Sequence, residues 1–146
     1  MKKFLILFIL ISACGYQPIY NTNLIKIEFN QINLIGDSKI NRKVISLLGI
    51  KEVNNEIGKQ ISIYSSGSIE ETSKDAKGQP ATYRTNITVT VEIKDQNKLI
   101  KSKSFNGNFS YNNIENKFDL SVYQKDVEDN LIKKITEDII IFISLK

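Results

Sequence analysis

Cys14 is the one cysteine in the chain, and it directly follows Ile11-Ser12-Ala13. A thiol placed there can accept a diacylglycerol as a thioether, and the small residues before it leave the preceding bond open to a peptidase. Upstream, Lys2 and Lys3 precede an apolar run from Phe4 to Ile11. That run is far short of the roughly twenty residues needed to cross a bilayer. A positive start, a short apolar stretch and small residues before a cut are the anatomy of a cleaved export signal. The expected signal is therefore 1–13, with Cys14 as the first, acylated residue of the mature chain. A lone cysteine in an exported protein has no disulfide partner, and acylation would use it up. One acyl chain alone binds a membrane marginally, whereas a diacylglycerol and an N-acyl chain on Cys14 make a stable anchor.

Beyond Cys14 the reactive inventory is thin. The chain has no His, so with the thiol acylated the usual general bases, metal ligands and nucleophile activators are missing. No Gly-x-Ser-x-Gly, phosphate loop or spaced carboxylate cluster stands out. The expectation is a protein that is not an enzyme and needs no cofactor other than its covalent lipid. Loss of Lys2 and Lys3 lowers the formal net charge from +4 to about +2. So mild a charge does not call for nucleic acid, which leaves a basic patch as its footprint.

The mature chain suits one domain, large enough to bury roughly two thirds of its surface without disulfides or metal. Residues 14–23, with Pro18 and polar Asn and Thr, read as a tether, and 24–146 as the domain. From Leu24, the alternation of Ile25, Ile27 and Phe29 with Lys26, Glu28 and Asn30 marks a strand whose phase slips near Gln31. Gly36-Asp37-Ser38 opens a short helix, with Asp37 or Ser38 as cap and Gly49 past its end. Ile40, Val44, Leu47 and Leu48 form its expected buried face. Asn54 to Gly58 reads as a loop. Strands are expected over Gln60 to about Ser73, Tyr83 to Lys94, and Lys98 to Phe109. Lys74 to Ala81 joins the first two, and Asp95-Gln96-Asn97 is a tight turn. From about Ser121, Val127, Leu131, Ile135, Ile139, Phe142 and Ile143 recur at helical steps.

The order β-α-β-β-β-α predicts an α+β fold: a four-stranded, largely antiparallel sheet with two helices packed on one face. The other face would carry Thr, Lys, Asn and Tyr, polar yet amphipathic. Such a face is either solvated or a surface for an amphipathic ligand or a protein wall.

Four strings of this sequence resemble the lipopolysaccharide-assembly lipoprotein family (LptE), particularly its alphaproteobacterial members. They are Cys14-Gly15-Tyr16-Gln17-Pro18-Ile19-Tyr20, then Gly78-Gln79-Pro80-Ala81-Thr82-Tyr83, then Phe109-Ser110-Tyr111 with Asn116-Lys117-Phe118, and the closing helix Tyr123 to Leu145. The resemblance implies a protein anchored on the periplasmic side of the outer membrane. It implies a plug that helps assemble the lipopolysaccharide-translocating β-barrel (LptD) and contacts lipopolysaccharide on its way to the cell surface. Gly15 is not the Asp that commonly retains lipoproteins in the inner membrane. The family's basic contact positions fall here on Ala76 and Gln124, with Lys77 and Lys125 beside them. Lys77, Arg84 and Lys125 are the candidate lipopolysaccharide contacts, since lipid A phosphates need cations and Arg can grip a phosphate through two N–H groups. Tyr83 reads as a packing residue at the base of the hairpin. The rival expectation is a stand-alone periplasmic lipid-binding lipoprotein, which would need an enclosed apolar cavity.

Overall fold

The computed structural model describes residues 28–53 and 58–145. Cys14, the signal, the tether and Leu24 to Ile27 lie outside the described residues, as does most of the expected Asn54 to Gly58 loop.

Strand β1 (Gln31–Gly36) leads into helix α1 (Ser38–Leu48), followed by β2 (Lys59–Lys74), β3 (Pro80–Asp95), β4 (Lys98–Asn112) and helix α2 (Lys117–Ser144). The sheet order is β1-β2-β3-β4. Helix α1 is the crossover that lets β1 lie parallel to β2, and both other pairs are antiparallel. The expected α+β architecture is the one observed.

Buried residues alternate down β3 as Thr85, Ile87, Val89, Val91 and Ile93, and both helices pack on that face. Their core partners include Ile61 and Ile63 of β2, Ile40 and Val44 of α1, and Ile132 and Ile139 of α2. One row across the sheet is Gly67, Ile87 and Gly107. With no side chain at either glycine, Ile40 of α1 settles over Gly67, while Leu131 and Ile135 of α2 settle over Gly107. Gly67, a weak point for a strand on propensity, is thus where a helix approaches.

Four expectations are corrected. Among the described residues the first ladder begins at Gln31, so the expected strand does not run on through Glu28 to Asn30. Phe29, fully buried, instead bridges to Glu52 beyond α1. In α1, Leu47 is largely exposed, because Asn41 is buried and donates from its side chain to the carbonyl oxygen of Ile35 at 3.1 Å. The buried face is therefore centred on Asn41 and Val44, leaving Leu47 at its margin. Helix α2 starts at Lys117, before Ser121, because Asn116 accepts the Phe118 N–H at 2.9 Å and caps it. It also carries a second buried stripe, Ile132 and Thr136, one turn and two turns beyond Glu128, which pairs with Lys39 of α1. Finally, Lys101 and Lys103 lie opposite Ile93 and Val91, on the helix side of the sheet. Lys101 donates to the carbonyl oxygens of Phe142 and Leu145, so a cation from β4 meets the negative end of α2, whose own last turn has none.

The helices are also clasped by charge. Lys39 donates to Glu128 at 3.0 Å, and Lys43 pairs with Asp129. The hydrogen bond to Glu128 raises the Lys39 pKa above its ordinary 10.5, with further help from the charges of Glu128, Asp129 and Asp37 against a cost of desolvation. The folded state thus favours the ammonium, so its contribution is complete below the unfolded value and disappears as pH rises through the raised one. Lys39 is more than half exposed, which limits the gain to about 0.2–1 kcal/mol. Comparing Lys39→Met with the parent by chemical denaturation should show that gap as constant from pH 7 to 9, closing above the ordinary Lys value and in high salt.

Candidate functional site

The β2–β3 hairpin runs beyond the cover of the helices. After Ser65, every residue of β2 to Lys74 is exposed. At its tip, Asp75 receives the backbone N–H groups of Lys77 and Gln79 at 2.8 Å each, and Gly78 turns the chain at φ 77°. Asn113, just past β4, ties back to this hairpin: its N–H and side-chain amide donate to the carbonyl oxygens of Ala81 and Pro80 at 2.8 Å.

At this far end the helix-side face turns aromatic. Tyr83 of β3 and Tyr111 of β4 are register partners, stacked with ring centroids 6.0 Å apart. Phe109 stacks on Tyr111 at 6.5 Å, and Tyr123 of α2 meets Tyr111 edge-on at 5.4 Å. The Tyr111 hydroxyl lies 3.1 Å from that of buried Thr85, which fixes the central ring. Leu120, Val127 and Ile114 pack beneath as a small second core. Tyr83 is the packing residue its position suggested. Phe109 and Tyr123 border an open cleft of about 410 Å³ with Asn112, Asn113 and Ile114. Phe118, on the first turn of α2, is 73% exposed.

The opposite face is built differently. Three successive rungs across β2, β3 and β4 read Tyr64-Thr90-Ser104, Ser66-Thr88-Asn106 and Ser68-Asn86-Asn108. Cross-strand side-chain hydrogen bonds join Thr90 to Ser104 at 3.0 Å, Thr88 to Asn106 at 2.8 Å and Asn86 to Ser68 at 3.4 Å. Side-chain hydroxyls and amides thus satisfy one another across three uncharged rungs, with Glu92 in the rung on one side and Glu70 and Arg84 in the rung on the other. The expected mix with Lys and Tyr is found in part: Tyr64 and Lys94 are there, whereas Tyr83, Tyr111, Lys101 and Lys103 belong to the helix side.

The three candidate cations do not converge. Lys77 is in the hairpin turn. Arg84 lies on the open polar face, donating to Ser110 at 3.1 Å. Lys125 projects from α2, on the other side of the sheet. The aromatic cleft was legible only in part: Phe105, Phe109 and Tyr111 keep a period of two, but the strand was expected to stop at Phe109.

No protein-family model matches the chain, and no curated protein matches it. Solved structures do. Rare lipoprotein B of Shewanella oneidensis superimposes with a TM-score of 0.61 at 15% identity, over 79% of this chain and 94% of that one. Those lipoproteins share this fold. Lipoprotein B of Nitrosomonas europaea gives 0.59 at 14% identity, over 77% and 82%. A minor lipoprotein of Acinetobacter baumannii gives 0.56 at 12%, over 77% and 88%.

Proposed function

We propose that this chain is a non-enzymatic lipoprotein, acylated at Cys14 and held at the periplasmic side of the outer membrane. There it plugs and helps assemble the lipopolysaccharide-translocating β-barrel (LptD). The observation that carries the proposal is the shared fold with rare lipoprotein B in a chain that opens on the Ile11-Ser12-Ala13-Cys14 motif. The open sheet face supports it as well. Rungs of Ser, Thr and Asn offer donors and acceptors without a desolvated charge, chemistry that suits the polar, water-lined inside of a barrel.

Lipopolysaccharide is the proposed ligand at the far end, with the aromatic cleft and the separate cations Lys77, Arg84 and Lys125 as its candidate contacts. Arg84 and Lys125 lie on opposite sides of the sheet, so they would meet different parts of a large, multiply phosphorylated ligand rather than clamp one phosphate. The stand-alone carrier has less behind it: the clefts among the described residues are open and small, and α1 and α2 fill the space over the sheet with side chains.

The test is a mild-detergent pull-down of tagged protein from its own envelope, read by mass spectrometry. A large outer-membrane β-barrel recovered near one-to-one is the expected result. Recovery of the lipoprotein alone with bound lipid would replace the plug with the carrier.

A further inference from the structure

The chain enters the fold at a defined end of the sheet. Gln31 pairs with Gln60, Lys59 with Asp95, and Asp95 with Lys98, so the start of β1 and the β3–β4 hairpin share one end. The contact from Lys101 to Leu145 puts the C-terminus of α2 there too. Whatever their arrangement, the residues between Cys14 and Glu28 span at most about 50 Å. The 16-residue strands β2 and β3 are themselves about 50 Å long. With the sheet standing upright on the anchoring bilayer, the aromatic far end could therefore be the end that meets it only with the tether drawn taut along the whole sheet.

The near end carries the chemistry of a membrane-contacting surface. The β3–β4 turn is tight, with Gln96 and Asn97 both at positive φ. Just past it, Leu99 and Ile100 stand 51% and 49% exposed at the hairpin tip. A register shift in the ladder falls between Lys94, the partner of Leu99, and Ile93, the partner of Lys101, leaving Ile100 outside regular pairing. Lys98 directly precedes them and Lys103 lies three residues beyond Ile100, its ammonium over the Phe105 ring, while Asp95 is the acid of the turn and Glu92 pairs with Lys94 at 3.8 Å. Across the edge, Ile141 and Leu145 of α2 are also exposed.

We propose that this hairpin tip docks on the bilayer that holds the anchor, Leu99 and Ile100 entering the headgroup boundary and Lys98 and Lys103 over anionic phosphates. The orientation rests on acylation of Cys14, and it puts the far end opposite the headgroups that the tip touches. Adjacent aliphatic side chains gain by leaving water, and lysines add attraction that salt weakens.

The chain has no Trp, so a single indole placed at either end reports its surroundings without background. Acylated Leu99→Trp and Phe118→Trp proteins would be reconstituted on phosphatidylcholine–phosphatidylglycerol vesicles with brominated acyl chains. The emission of Leu99→Trp should shift to the blue and be quenched, and that of Phe118→Trp should do neither. Equal quenching, the reverse order, no quenching, or a Leu99→Trp shift that requires a protein partner would each overturn the docking. In the unacylated Cys14→Ser chain, adding Leu99→Asp with Ile100→Asp should lower partition onto the same vesicles by about ten- to a hundredfold. Intact mass reads the anchor separately: a bare Cys14 in the purified protein defeats the anchor reading, while the indole signal on vesicles still decides the tip.

Discussion

Gly36→Ala should lower the melting temperature of the domain by about 10–20 °C, whereas Gly78→Ala should cost only a few degrees. Both glycines sit in the left-handed region, at φ 95° and 77°. An Ala forced there loses about 1–2 kcal/mol whatever surrounds it. Around Gly78 a Cβ would meet open space, and the cost ends there. At Gly36 the same atom would run into the backbone carbonyl of Ser65, which cannot swing aside as a side chain can. That carbonyl is also committed, accepting the Asp37 N–H at 3.0 Å, while the Ser65 hydroxyl donates to the Asp37 carbonyl at 3.0 Å.

Asp37 in turn caps α1, accepting the N–H groups of Lys39 and Ile40 at 2.8 and 3.1 Å. Relieving the clash therefore pulls at the last rung of the parallel ladder and the first turn of the helix together. Losing both sets of bonds on top of the strain brings the expected cost to about 3–5 kcal/mol. Calorimetry of the two variants separates strain from collision by subtraction. Equal losses would mean that the approach of β1 to β2 is looser than the geometry requires.

This junction also illustrates how the fold could be read from the chain. Gly36-Asp37-Ser38 announced a helix start because capping is a local matter of side chain and nearby N–H groups. The β3 pattern was legible for a similar reason: a central strand has one side wholly buried, so alternation survives intact. Edges hide their face. Lys101 and Lys103 in β4 look like residues of a solvated face, yet register puts them on the helix side, where one meets the end of α2 and the other lies over the Phe105 ring at 5.0 Å.

Ile132 and Thr136 were missed because α2 has two neighbours, the sheet and α1, and a single stripe accounts for only one. The aromatic site combines Tyr83, Phe109, Tyr111 and Tyr123 from three elements, and only the β3–β4 register brings the first three together. The cations Lys77, Arg84 and Lys125 sit in the hairpin turn, on the open sheet face and on α2, so the sheet divides them. A list of basic residues contains no sign of that division.

Cys14→Ser, in a mature chain exported behind a signal that ordinary signal peptidase removes, should release the protein from the membrane and leave its melting temperature unchanged. The choice of signal matters: without the thiol the native signal would stay uncut, and its apolar run would hold the chain by another route. Each acyl chain contributes about 0.8 kcal/mol per buried methylene, so three chains fix the protein to one bilayer and their loss should be close to complete in a fractionation. The fold has no comparable stake in the thiol, since its described core closes on itself from Phe29 to Ile139. What should remain is a weak association with anionic vesicles through Leu99, Ile100, Lys98 and Lys103, abolished by salt or by the two Asp substitutions at the tip. A chain that still sediments with membranes in high salt would point to an anchor other than Cys14. Lowered thermal stability would mean that residues before Glu28 take part in the fold. A released, stable protein that no longer recovers the barrel in a pull-down would show that anchoring is what brings the plug to its partner.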